Sequence, residues 1–234
     1  MINYAHRGAS DFAPENTLSA FYLGLQQGAN GIETDVRLSR DGVPVLFHDD
    51  TLDRVTDGAG PVSEMTWAQL QKLLVTGPKA RGFVPDRMVT LAQFLHLFAH
   101  RPIHFALELK GPGVQADTLT LARGAGILER CIFTSFDWDA LCRTRSLDGD
   151  AAIGFLTDRT DDGLIEQMRT IRGQQLCLKA DTLTPQVVAH FQRAGFSVRA
   201  WGVSNPELME HVLACGVDGG MTVNFPGLLH TRLG

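Results

Sequence analysis

Glu33 and Asp35 stand two residues apart in Gly31-Ile32-Glu33-Thr34-Asp35-Val36, and Glu108 and Lys110 repeat that spacing in Phe105-Ala106-Leu107-Glu108-Leu109-Lys110. In an extended chain this spacing puts both side chains on one face. Buried strands rarely carry unpaired charge, so carboxylates in such apolar frames need a partner. Three of them converging repel one another unless a cation lies between, and oxygen donors suit a hard divalent ion, Mg2+ or Ca2+. Glu33, Asp35 and Glu108 are the candidate ligand set. His6 and His48 each close a β-like run, and imidazoles near such an ion suit general acid and general base catalysis because they titrate near neutrality. Arg7 and Lys110 add the fixed positive charge that a phosphodiester needs for binding and in its transition state.

These side chains must be carried to one place by the elements around them. Short β-rich runs over 2–7, 31–38, 104–110, 131–136, 152–156, 175–179, 197–203 and 217–223 alternate with amphipathic segments of helix length. That alternation predicts parallel strands joined by crossover helices, and eight such units predict an α/β fold of the (β/α)8 TIM-barrel type. The C-terminal strand ends then point the carboxylates at the catalytic mouth. In the first helix Leu18, Phe21, Tyr22 and Leu25 are expected on the face packed against the barrel. Asn16 or Thr17 is suited to cap its N-terminus.

Ser39-Arg40-Asp41-Gly42 between two β-like runs reads as a hairpin turn. If Leu38 faces Val43, His48 falls opposite Glu33; with a two-residue Asp41-Gly42 turn it falls opposite Asp35. Either register puts His48 on the carboxylate face, whereas a three-residue loop pairs it with Thr34 and removes it. The stretch 49–101 is too long for a loop and is expected to carry helices over 66–75 and 90–100, separated by a Gly/Pro-containing segment. It reads as a small insertion after the second strand, within one barrel domain spanning 1–234.

The chain has 234 residues, 44% of them hydrophobic, and a formal net charge of −5. Its charges are mixed rather than blocked, so neither nucleic acid nor an anionic membrane is an expected partner. Four cysteines without a CxxC pair argue against a disulfide framework or a zinc knuckle. With no basic start leading into an apolar run, and no apolar stretch near the roughly 18 to 20 residues of a membrane span, a cytoplasmic protein is expected.

His6-Arg7-Gly8 with Pro14-Glu15-Asn16-Thr17, then Gly31-Ile32-Glu33-Thr34-Asp35, then the run from Pro44 through His48-Asp49 to Arg54, resemble in this order the opening of the glycerophosphodiester phosphodiesterase family. Leu107-Glu108-Leu109-Lys110, Ser135-Phe136-Asp137, Val198-Arg199-Ala200-Trp201 and Gly216-Val217-Asp218-Gly219 extend the resemblance almost end to end. It implies a hydrolase that cleaves small-molecule glycerophosphodiesters to glycerol 3-phosphate and an alcohol. By the same resemblance His6 and His48 are the acid/base pair, Glu33, Asp35 and Glu108 hold the ion, and Arg7 and Lys110 contact phosphate. Trp201 and Phe136 then wall the glycerol or leaving group, and the glycerol 2-hydroxyl attacks phosphorus. The sequence departs from the pattern at Asn224, where an aspartate is frequent, and at Gly202, where a threonine is usual. Two other readings share these residues: another phospholipase-type phosphodiesterase on the same barrel, and a non-catalytic barrel that binds glycerophosphodiesters through a metal.

Overall fold

A strand with a crossover helix on its outer side buries that face in the helix layer and turns its alternate residues inward. A computed structural model of the chain describes residues 1–77 and 84–234. In chain order the strands are β1 (Asn3–His6), β2 (Gly31–Leu38), β3 (Pro44–Leu46), β4 (Leu74–Val75), β5 (Asp86–Arg87), β6 (His104–Leu109), β7 (Cys131–Ser135), β8 (Ala152–Thr157), β9 (Gln175–Lys179), β10 (Ser197–Val203) and β11 (Gly220–Val223). The helices are α1 (Leu18–Gln26), α2 (Trp67–Leu70), α3 (Leu91–Phe98), α4 (Val114–Gly124), α5 (Trp138–Leu147), α6 (Gly163–Thr170), α7 (Pro185–Arg193), α8 (Pro206–Cys215) and α9 (Pro226–Leu233). Eight parallel strands run side by side as β1-β11-β10-β9-β8-β7-β6-β2, and pairing of β1 with β2 closes the barrel. Polar and proline signals start the helices: Thr17, one of the two expected caps, and Thr90, Thr184 and Asn205 accept at N-caps, and Pro185, Pro206 and Pro226 occupy first turns.

The core lies between strands and helices. One buried cluster joins Phe21, Phe94, Phe98, Phe105 and Phe133 on the β2, β6 and β7 side, and another joins Met168, Leu176, Phe191, Val198 and Met221 on the opposite side. The insertion between β3 and β6 has a small core of its own around Phe47, Leu52, Val62, Leu70 and Met88. Among the described residues no helix is long and apolar enough to cross a membrane.

Local expectations are corrected in three places. The helix expected over 66–75 is a single turn, α2, because Arg87 Nη1 takes the carbonyl of Lys72 and Asp57 Oδ1 takes the Leu74 amide, ending the helical ladder in favour of the β4–β5 pair. The Gly/Pro-containing segment after it lies in part outside the described residues. α1 buries Ala20, Phe21 and Gly24 rather than a stripe with Tyr22, which is 40% exposed against the Phe98 ring. Small residues are needed there, since a side chain on Gly24 would collide with Ala5 and one on Gly8 with the Ala20 backbone. The hairpin pairs Val36 with Leu46, Arg37 with Val45 and Leu38 with Pro44, which is the three-residue-loop register that opposes His48 to Thr34. Ladder pairing ends at the Phe47 amide on the Asp35 carbonyl, 3.0 Å, and the chain then turns, so the position of His48 is set by the turn and not by the register.

Candidate active site

Parallel strands pair residues of the same face, and the register brings the chemistry together two residues at a time. His6 pairs with Glu33, Asp35 with Glu108, and Glu108 with Thr134. The alternation that puts these side chains in the lumen also puts Arg37, Lys110, Phe136, Arg199, Trp201 and Asn224 on the inward face or at its mouth. A cavity of about 280 Å3 opens there, lined by His6, Arg7, Glu33, His48, Glu108, Phe136, Leu156, Arg199, Trp201, Gly202 and Thr222. Asp35 lies behind it, fully buried. Lys110 faces a neighbouring recess of about 370 Å3, which it shares with Arg37 and Asp50, and reaches the carboxylates from that side.

Ligand oxygens of Glu33, Asp35 and Glu108 lie within 4.8 Å of one another. Lys110 Nζ is 2.6 Å from Glu108 Oε1 and 3.5 Å from Asp35 Oδ1, and Arg7 Nε is 3.2 Å from Asp35 Oδ2. Burial pushes Glu33 up to about 8, with Asp35 and Glu108 adding to the shift. Glu108 is also raised by burial and by Asp35. Asp35 is buried too, but Arg7, Lys110, His48 and the Asn16 amide outweigh burial and hold it far below the usual carboxylate range. Among the described residues Asp35 Oδ1 has no hydrogen-bond donor, with Lys110 Nζ at 3.5 Å making an ion pair only. An unsatisfied carboxylate oxygen facing two further buried carboxylates is the donor set a hard divalent cation takes, so the triad fits such an ion.

His6 and His48 are each held through Nδ1. Asn224 Nδ2 donates to Asp11 Oδ1 at 3.2 Å, which turns its oxygen to accept from His6 Nδ1 at 2.7 Å. Burial and the nearby Arg7 lower His6 to about 3 while burial raises Glu33, so both shifts disfavour an ion pair across the 3.9 Å from His6 Nε2 to Glu33. His48 Nδ1 is 2.6 Å from the Asp49 carboxylate, and the His48 carbonyl accepts from Arg37 Nε and Nη2 at 2.9 and 2.7 Å. Burial lowers His48, with Arg7 and Lys110 adding to that and Asp35 and Asp49 opposing.

The loop after β1 is wound tightly around the triad. Arg7 and Asn16 both adopt left-handed backbone, with φ of 57° and 56°, a strained conformation for residues with side chains. It is held by the Arg7 amide on the Glu33 carbonyl at 2.9 Å and by the Asn16 amide on the Arg7 carbonyl at 3.0 Å. Thr17 is the helix cap; Asn16 instead turns inward, where Nδ2 donates to Asp35 Oδ2 at 3.0 Å and Oδ1 accepts from Thr34 at 2.7 Å. At the far wall the Phe136 and Trp201 rings meet edge to face with centroids 5.0 Å apart, and Trp201 Nε1 donates to the Thr157 carbonyl.

The glycerophosphoryl diester phosphodiesterase family model matches residues 6–228. The chain belongs to this family. A glycerophosphodiester phosphodiesterase of Caldanaerobacter subterraneus subsp. tengcongensis is 31% identical over 226 residues, covering 93% of this chain and 92% of that protein. Among solved structures, an Oleispira antarctica phosphodiesterase in complex with the product sn-glycerol-3-phosphate is 28% identical with a TM-score of 0.88, covering 98% of this chain and 95% of that one. A glycerophosphodiester phosphodiesterase from Agrobacterium tumefaciens is 26% identical with a TM-score of 0.87 over 97% of this chain and 98% of that one.

For a glycerophosphodiester phosphodiesterase barrel, several contacts are hidden at the level of sequence. Asn16 reads as a cap, and its positive φ, which frees it to face inward, leaves no mark in residue type. Asn224 reads as a departure from the family's usual aspartate, and only the return of β11 beside β1 shows it on His6. Glu15 and Arg54 occur in the quoted motifs with no contact assigned. Arg199, 1% exposed and stacked on Tyr4, lies inside the barrel, although the alternation of β10 with Trp201 was available to place it there.

Proposed function

We propose that the protein hydrolyses glycerophosphodiesters to sn-glycerol 3-phosphate and an alcohol as one barrel unit spanning 1–234. The observation that carries this reading is the convergence of two Nδ1-anchored imidazoles, three buried carboxylates and two cationic side chains at one barrel mouth. Glu33, Asp35 and Glu108 would hold a divalent ion, Mg2+ or Ca2+. The chemistry such an ion supplies is polarisation of a phosphoryl oxygen and of the attacking hydroxyl.

Arg7 and Lys110, on either side of the triad, provide positive charge for the phosphate. Trp201 and Phe136 form the apolar wall against which the glycerol or leaving group rests. The glycerol 2-hydroxyl attacks phosphorus, the bond to the leaving alcohol breaks, and water then opens the cyclic phosphate. Support for the division of labour comes from the Nδ1 partners. An ionised carboxylate favours imidazolium more strongly than a neutral amide does, so His48 on Asp49 holds the proton for the leaving alcohol and His6 on Asn224 accepts the one from the hydroxyl. Water attack in the second half reverses both roles.

The test is release of glycerol 3-phosphate from glycerophosphocholine and glycerophosphoethanolamine, with and without EDTA. His6→Ala and His48→Ala are each expected to lower kcat by about 100-fold or more. Binding of these diesters without turnover would instead support a carrier, and strong activity in either variant would remove the acid/base assignment.

A further inference from the structure

Arg54 lies in the insertion, two steps removed from the cavity, yet among the described residues its guanidinium contacts lead back to the site. Its guanidinium is gripped on two sides. Nε and Nη2 donate to Asp49 at 2.5 and 3.0 Å, and Nη1 and Nη2 donate to the two oxygens of Glu15, both at 2.8 Å. Glu15, from the loop after β1, also accepts from Arg7 Nη1 at 2.9 Å, while Asp49 meets His48 Nδ1 at 2.6 Å. The result is an unbroken line of hydrogen bonds and ion pairs, His48 to Asp49 to Arg54 to Glu15 to Arg7, that ties the insertion to the barrel mouth at the imidazole. The planar fork of an arginine can serve two carboxylates at once, which a lysine cannot do in fixed geometry. Glu15 has a side chain only 12% exposed, so one end of the clamp is anchored in the barrel.

We propose that Arg54, seated on Glu15, is a positioning residue that holds the Asp49 carboxylate against His48 Nδ1 and thereby aims His48 Nε2 into the cavity. The proposal rests on the reading of His48 as a proton-transfer group. A carboxylate accepts only, so His48 must carry its hydrogen on Nδ1 whenever this contact is made, and the nitrogen left for chemistry is Nε2. Without Arg54, Asp49 keeps its place beside His48 in the chain but loses the two bonds that fix its rotamer. The ring then samples orientations from which no proton reaches the leaving group, while the triad, Arg7 and the aromatic wall still bind substrate.

The experiment compares the Mg2+-loaded parent protein with Arg54→Ala and Glu15→Gln, measuring kcat and KM on glycerophosphocholine and the downfield proton resonance of His48 Nδ1, assigned by its loss in His48→Gln. Arg54→Ala is expected to lower kcat by about 10- to 100-fold with KM changed by less than about threefold. Ethylguanidinium is expected to restore much of the loss, since the Arg54 side chain is 39% exposed. The resonance is expected to vanish in the variant. A kcat within about threefold of the parent, or a loss lying wholly in KM, overturns the proposal. If Arg54→Ala does not fold by circular dichroism, Glu15→Gln decides on the same readouts, and an unchanged kcat overturns it. Failure of the parent to turn over any glycerophosphodiester would overturn the activity reading instead, and the clamp is then judged by the resonance, whose persistence in Arg54→Ala removes it.

Discussion

Glu33 touches almost everything the site does: its carboxylate accepts from the Arg7 amide at 3.2 Å, faces His6, and belongs to the acidic triad. Because burial raises it to about 8 from an ordinary 4.5, the ion-free folded protein keeps a proton on Glu33 that the unfolded chain has already lost. Stability from this group is therefore fully present below about 4.5 and is lost as pH rises through about 8. An ion arriving at the triad must displace that proton, so metal affinity is expected to rise with pH up to about 8. Calorimetric titration with Mg2+ or Ca2+ at pH 6, 7 and 8 checks this. Glu33→Gln should bind more weakly and flatten the pH dependence, and a parent affinity independent of pH would contradict the account.

At the scale of elements, the loop between β1 and α1 does the most with the fewest residues. Gly8 has φ of 85° and approaches the Ala20 backbone so closely that an added Cβ has no room. Gly8→Ala is expected to destabilise the fold by about 2 to 4 kcal/mol through clash and left-handed strain, read as a lower urea midpoint at unchanged slope. An unshifted midpoint would mean that the loop can rearrange. The same elements show what residue order reveals. The strand runs were legible because each is short, β-rich and followed by a helix-length amphipathic segment, and alternation told which residues share a face. Hence Glu33, Asp35, Glu108 and Lys110 could be grouped before any coordinates. The register of β3 was not legible, since turn length is set by the Ser39 hydroxyl accepting from the Val43 amide and donating to Asp41, contacts no pattern announces. Asn16, Glu15 and Arg54 escaped for a related reason: their partners lie 19, 39 and 39 residues away in sequence.

For the whole molecule, the acidic triad is the most costly arrangement of buried charge in the barrel, three carboxylates gathered beside Arg7 and Lys110. Filling it should stabilise every element that borders the lumen. At a hundredfold excess of ion over Kd the gain is about 2.7 kcal/mol, which for a chain of this size is a rise in Tm of about 5 to 10 °C, reversed by EDTA. A melt insensitive to Mg2+, Ca2+ and EDTA would count against the triad as a cation site. The most direct measurement is a crystal soaked with glycerol 3-phosphate and Mn2+ as an anomalous stand-in for the ion. The account predicts one anomalous peak coordinated by Glu33, Asp35 and Glu108, with the phosphate between the rings of His6 and His48 and against Arg7. A peak elsewhere, or a phosphate out of reach of both imidazoles, would contradict it.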